Sequence, residues 1–212
     1  IEKSVKRLIE NALSVYSINS EKLNDLSPDI IFTQDMCKVC AVSRDDIEIA
    51  LNKYMLKSVN LYSYSPNIIN EIFDGILEIG KIVNKSESAR NLVVDIKIRI
   101  KSITEESNRI KKKPSVCAIE WIEPIYIAGN WIPELIEIAG GNSIFSQPGD
   151  YSSIIPFSKI VEQDPDFILI MPCGWAINKI ISELSPLLER PEWNFLKAVR
   201  NSNVYILDGN QY

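Results

Sequence analysis

The spacing of apolar side chains changes period along the chain, and each change predicts an element. Residues 30–33 (Ile30, Ile31, Phe32, Thr33) are a short β-branched and aromatic run after Pro28-Asp29, the composition of a buried strand. Residues 59–64 form another. Ser65-Pro66 then predicts a helix start, with Ser65 as N-cap and Pro66 in the first turn, where its missing N–H is not needed. Ile69, Ile72, Phe73, Ile76 and Leu77 keep helical spacing behind it.

Residues 86–113 contain neither glycine nor proline, and Pro114 stops them. Leu92, Val93, Ile96, Ile100 and Ile103 form one stripe, and Arg and Lys crowd the last turns, as the helix dipole favours. Continuous over that span, the helix would be about 40 Å long. It reads either as a long core helix or as a rigid strut between two lobes. After Pro114 strands are predicted at 116–121, 167–171 and 204–207, with helices at 133–139 and about 176–184; Gly140-Gly141 ends the first of these helices.

Alternation of strand-like and helix-like runs predicts an α/β fold. Two stretches repeat. Leu26-Ser27-Pro28-Asp29-Ile30-Ile31-Phe32 leads to Cys37, and Gln163-Asp164-Pro165-Asp166-Phe167-Ile168-Leu169 leads to Cys173. Each places Pro-Asp before a strand and a cysteine beyond its carboxyl end. One copy on either side of the long helix predicts two similar α/β lobes. The expected division is an amino-terminal lobe over 1–83, a linking helix over 84–113 and a carboxyl-terminal lobe over 114–212.

Composition removes several chemistries. The chain has 212 residues, is 46% hydrophobic and 24% charged, and carries a net charge of −5, which disfavours a broad nucleic-acid-binding face. It has no histidine, so imidazole acid–base catalysis, Ser-His or Cys-His nucleophiles and imidazole metal ligation are excluded. No apolar run approaches the roughly 18 residues of a membrane span. Ile1 opens an amphipathic stretch (Val5, Leu8, Ile9, Ala12) with no signal-peptide pattern, and the absent initial Met marks the chain as a candidate fragment. Four cysteines are too few for a small disulfide scaffold.

Ligands of open α/β sheets bind beyond the carboxyl ends of the strands. There the chain places Cys37-x-x-Cys40, Trp121, Trp131, Cys173 and Trp175. The tryptophans read either as packing or as walls for a large flat ligand, since aromatic rings bury much area at small entropic cost. The Cys37/Cys40 pair reads as small packing residues, as a ligand contact, or as metal or redox chemistry. No second CxxC completes a zinc site. Asp45-Asp46 and Glu105-Glu106 read as solvated charges, and Glu134 as a first-turn carboxylate stabilised by the helix dipole.

Taken in order, Asp35-x-Cys37-x-Val39-Cys40-Ala41-Val42-Ser43, Glu120-Trp121-x-x-Pro124, Gly129-x-Trp131-x-Pro133-Glu134 with Ala139-Gly140-Gly141, and Pro172-Cys173-Gly174 resemble a subgroup of the helical-backbone (class III) substrate-binding proteins. These are the cobalamin, haem and ferric-siderophore receptors of ABC importers. The resemblance covers nearly the whole chain. It implies two Rossmann-like α/β lobes with parallel sheets, joined by one long helix, with the ligand between them. Against the family's order of elements, the first lobe is incomplete at its amino end and the second at its carboxyl end.

The resemblance implies a non-enzymatic receptor, without a prosthetic group or bound metal of its own, that captures a corrinoid such as cobalamin and delivers it to an ABC transporter permease. The expected ligand contacts are Cys37, Cys40, Tyr64, Trp121, Trp131, Cys173 and Trp175. Glu21 matches one of the two docking glutamates that such receptors carry; the second position is Ser158, which has no carboxylate. Location outside the cytoplasmic membrane is the expectation for an importer receptor. Alternatives are a ferric-siderophore or haem receptor of the same fold, and an intracellular corrinoid-binding protein uncoupled from import. A cysteine-based enzyme is a further class.

Overall fold

The computed structural model describes residues 18–34 and 59–211. Contacts divide the chain into two compact units, Ile1–Pro66 and Asn67–Tyr212.

In the first unit, helix α1 (Ser20–Leu26) begins at Asn19, whose side chain accepts the Lys22 N–H at 2.9 Å. It ends at Ser27, which takes a left-handed conformation (φ 43°) and returns its N–H to the Leu23 and Asn24 carbonyls. Strand β1 (Ile30–Gln34) follows Pro28-Asp29 and pairs in parallel with β2 (Asn60–Tyr64), setting Phe32 opposite Tyr62 and Gln34 opposite Tyr64. The Phe32 and Tyr62 rings stack with centroids 5.7 Å apart.

The second unit opens with two packed helices, α2 (Ile69–Ile82) and α3 (Ser86–Ser107). The predicted start at Ser65-Pro66 is three residues early. Ile68 occupies the N-cap position and offers no side-chain oxygen. Glu134, distant in sequence, supplies the acceptor instead: its carboxylate takes the Ile69 N–H at 2.9 Å. The predicted long helix is unbroken but shorter than expected. It spans 22 residues, about 33 Å. Its end tightens into short-range bonds from Arg109 to Glu106 and from Ile110 to Ser107. Buried Ser107 also donates its hydroxyl to Ile138 O at 2.7 Å, tying the helix end to a neighbouring element. The charged run Lys111–Lys113 is therefore exposed connecting chain, although its lack of glycine and proline predicts more helix.

The division between the units falls at 66/67, whereas the expected lobe boundary is at 83/84. Val93 of α3 packs with Ile69 and Phe73 of α2, and Trp131, Leu135 and Ile138 pack on the same cluster. The two helices thus share a core with the 131–138 segment.

The remainder is a six-stranded mixed sheet among the described residues. Its order is β6 (Ser153–Ile154), β4 (Tyr126–Ile127), β3 (Ser115–Trp121), β7 (Phe167–Ile170) and β8 (Val204–Ile206), with β5 (Asn142–Ser143) also on β3. β7 is parallel to both β3 and β8. β3 is apolar on both faces, as a central parallel strand must be. Cys117 and Ile119 face a core with Ile168 and Ile170. Val116 and Ala118 face the other side, against Ile132 and Ile136.

Helix α4 (Ile132–Ile138) covers that second face and stops at Gly140, which takes φ 88°. Helices α5 (Phe157–Gln163), α6 (Ile177–Ser182), α7 (Ser185–Leu188) and α8 (Lys197–Arg200), with a 3-10 turn at Trp193–Phe195, cover the first. Each fully buried isoleucine there (Ile119, Ile160, Ile168, Ile180) contributes about 1.5–3 kcal/mol before entropic costs.

The two Pro-Asp repeats share local geometry. Asp164 ends α5 in a left-handed conformation (φ 41°), as Ser27 ends α1, and a strand begins three residues later in each case. Asp166 then anchors the amino end of the sheet. Its carboxylate accepts the Ser115 N–H (2.8 Å) and hydroxyl (2.9 Å) and pairs with Lys197. The Lys197 hydrogen bond, followed by those from Ser115, holds the Asp166 pKa down at about 2.

Candidate functional site

In the second unit, the carboxyl ends of β3 and β7 carry a paired indole site. Beyond its last sheet pair, the β7 chain continues along β3: Met171 N–H bonds Ile119 O (2.8 Å) and Cys173 N–H bonds Glu120 O (3.2 Å). This places the 172–175 turn beside Trp121. The Trp121 and Trp175 rings lie 4.9 Å apart and tilted by 59°. Both indoles are half-buried. The Trp121 Nε1–H donates to Glu123 O at 3.2 Å.

The turn is held from behind by the chain after β8. Gly174 N–H bonds Gly209 O at 3.0 Å, and Gly209 N–H bonds Trp175 O at 2.9 Å. A Cβ on Gly209 would overlap the Pro172 carbonyl oxygen, so only glycine permits this approach. Asp208 shapes the next turn by accepting the Asn210 N–H (3.0 Å) and side-chain amide (2.8 Å); those bonds lower its pKa.

A cation stands over the site. Lys179 Nζ lies 5.1 Å from the Trp175 ring centroid and also pairs with Glu183. It is four residues after Trp175, a helical spacing present in the sequence, but residue type alone does not single it out.

Trp131 has a different environment. It packs with the α2–α3 cluster and with the core face opposite Cys117 and Ile119. Its loop is clamped by the 147–150 turn: Asn130 N–H bonds Asp150 O (2.6 Å) and Gly149 N–H bonds Asn130 O (3.0 Å). Asn130 is left-handed (φ 51°), and its buried side-chain oxygen has no protein partner.

Of the expected contacts, Trp121, Trp175 and the exposed Cys173 are therefore grouped at one strand end, while Trp131 belongs to a separate apolar cluster. Tyr64 is half-buried at the carboxyl end of β2 in the first unit. Cys37 and Cys40 lie outside the described residues. Glu21 is exposed in the first turn of α1. Ser158 is exposed near the start of α5 and lines a shallow hollow of about 320 Å3 with Phe157, Val161, Arg190 and Glu192. Cys117 is a core residue, and burial pushes its thiol pKa up to about 12. No group of three or more Cys, Asp or Glu able to hold a metal occurs among the described residues, and no described helix is long and apolar enough to cross a membrane.

Aromatic and charged side chains are thus gathered at the carboxyl ends of two parallel strands, the end at which open α/β sheets hold their ligands. The chain belongs to the periplasmic binding protein family, whose family model matches residues 5–211.

It is 23% identical over 159 residues to the high-affinity heme uptake system protein IsdE of Staphylococcus aureus (strain MRSA252), covering 72% of this chain and 54% of that protein. The chain thus spans about half the length of the curated relatives it matches. Among solved structures it is similar to an ABC transporter substrate-binding protein from Listeria monocytogenes EGD-e (TM-score 0.74, 19% identity, 92% of this chain and 72% of that one). S. aureus IsdE complexed with heme superposes with a TM-score of 0.72 at 21% identity, over 90% and 71% of the two chains. The periplasmic vitamin B12 binding protein BtuF of Vibrio cholerae does so with 0.65 at 17%, over 93% and 71%. At these identities the likeness establishes the α/β fold.

Proposed function

We propose that the chain is the ligand-capturing component of an ABC importer, located outside the cytoplasmic membrane, and that its ligand is a corrinoid such as cobalamin. The observation that carries this reading is the Trp121–Trp175 pair at the carboxyl ends of β3 and β7. Two half-exposed indoles offer a broad apolar surface to a flat macrocycle. At ~25 cal/mol per Å2, a few hundred Å2 of such contact contributes several kcal/mol before ordering costs. Catalysis has no part in this reading. Without histidine these 212 residues give no imidazole to the chelated metal, so a bound cobalamin keeps its own lower base or water unless Cys37, Cys40 or Cys173 ligates.

A haem ligand is the second reading. IsdE of S. aureus, a heme uptake protein by name, is a sequence relative, and Lys179 beside Trp175 supplies a cation that complements a macrocycle bearing carboxylates. Delivery to a permease uses exposed carboxylates on this reading: Glu21 on α1, and Glu192, which lines the same hollow as Ser158.

Calorimetric titration of the full protein with cobalamin, cobinamide, haemin and a ferric hydroxamate tests the proposal. One macrocycle binds at one site per chain, and Trp175→Ala weakens it by about tenfold or more. Absence of binding by all four, or full affinity in both Trp121→Ala and Trp175→Ala, overturns it.

A further inference from the structure

Arg190 follows α7, apart from the indole pair in sequence, yet its guanidinium has three defined partners. Nε donates to Pro186 O at 2.9 Å, a terminal nitrogen donates to the Glu123 carboxylate at 2.9 Å, and the group lies 4.9 Å from the Phe157 ring centroid. Phe157 is buried and stacks on buried Trp193, so the guanidinium rests on a fixed surface. The carboxylate it holds belongs to Glu123, and the backbone oxygen of Glu123 accepts the Trp121 indole N–H. One residue therefore joins the arginine to the indole.

We propose that Arg190 is a positioning residue for the Trp121–Trp175 pair. Glu123 lies in the short turn between β3 and β4. The planar arginine fork, already oriented by Pro186 and Phe157, gives that turn one preferred position. With the Glu123 carbonyl so placed, the Trp121 indole keeps its tilt against Trp175. The pair with Arg190 is half-exposed, so its influence falls on local geometry and much less on global stability. Lysine cannot reproduce the arrangement, because a point charge lacks the fork that engages Pro186 and Glu123 together.

The inference deepens the ligand reading above and rests on it only for its effect on affinity. Two closely spaced, tilted indoles give an exciton couplet in circular dichroism, which reads their geometry without any ligand. Arg190→Met, which keeps an apolar side chain of similar length but no donor, and Glu123→Ala, which removes the acceptor carboxylate, are compared with the unaltered protein and with Trp121→Ala. Trp121→Ala abolishes the couplet. Arg190→Met diminishes it clearly while leaving the thermal midpoint within a few degrees, and weakens the macrocycle found in the ligand screen by about fivefold. Arg190→Lys retains only part of the couplet. If Arg190→Met does not fold, Glu123→Ala, altered at an exposed side chain, gives the same readout. An unchanged couplet in the folded variants overturns the positioning role. A diminished couplet in Arg190→Met, with full affinity in both Trp121→Ala and Trp175→Ala, leaves the positioning role standing and removes the ligand reading instead.

Discussion

Gly209 and Pro172 approach so closely that the Pro172 carbonyl oxygen occupies the space a side chain on residue 209 would need. The contact joins the turn after β8 to the turn that carries Trp175, and two backbone hydrogen bonds seal it. Gly209→Ala must push the turns apart, at a cost of about 1–3 kcal/mol typical of overpacking. Gly174, although left-handed (φ 74°), has nothing within 4 Å of its missing Cβ, so Gly174→Ala carries only conformational strain of about 1–2 kcal/mol. Urea unfolding ranks the two. Only Gly209→Ala is expected to shift the near-ultraviolet signal of the indoles, and an identical signal would contradict the close approach.

Acid stability depends on Asp166. Its folded pKa of about 2 lies below the ordinary aspartate value of 3.8, so its stabilising effect is complete above the unfolded pKa and is lost as pH falls through the folded one. Allowing for partial solvent screening, the pH-dependent part is about 1–2 kcal/mol. The stability gap between the unaltered protein and Asp166→Asn should be constant above about pH 5 and narrow between about pH 4 and pH 2. A gap independent of pH would show that the carboxylate is not held ionised by Lys197 and Ser115.

Glu134 accepts the first N–H of α2 from another helix. Glu134→Ala leaves that donor without its partner and should destabilise by about 1 kcal/mol, as loss of an N-cap does. Glu134→Gln keeps an acceptor oxygen and should recover much of the loss. Chemical denaturation of the two variants checks the order, and equal stability in both would remove the cap.

The cysteines should separate by reactivity. Cys173 is exposed, whereas Cys117 is wholly buried with its pKa raised to about 12, so almost no thiolate is present near neutrality. Alkylation followed by peptide mapping should label Cys173 in the native protein and Cys117 only under unfolding conditions. Labelling of Cys117 at the same rate would mean that the β3 core opens readily.

Elements whose apolar runs are long, or punctuated by glycine and proline, are legible in the chain itself. Predicted 30–33, 116–121, 167–171 and 204–207 are strands within a residue or two, and Pro133 and Gly140 bracket a helix as their positions predict. The short pieces are not legible: β4, β5, β6, α7, α8 and the 3-10 turn are two to four residues each, too brief for periodicity to register. The start of α2 is displaced from its predicted position because its acceptor, Glu134, comes from elsewhere in the fold, beyond the reach of local capping rules.

The candidate site divides in the same manner. Residue type and strand-end position single out Trp121, Trp175 and Cys173 without coordinates, because ligand sites of parallel sheets follow from strand direction. The separation of Trp131 from that group depends on which face of the sheet α4 covers, and the roles of Lys179, Arg190 and Gly209 on partners from other elements. By itself, the sequence determined the α/β alternation, the unbroken long helix and the lack of any imidazole within these 212 residues, since these come from local pattern and composition. Only tertiary structure decided where that helix ends, what caps its neighbour and which indole meets which. Those outcomes come from packing and hydrogen bonding between residues distant in the chain, which no local spacing encodes.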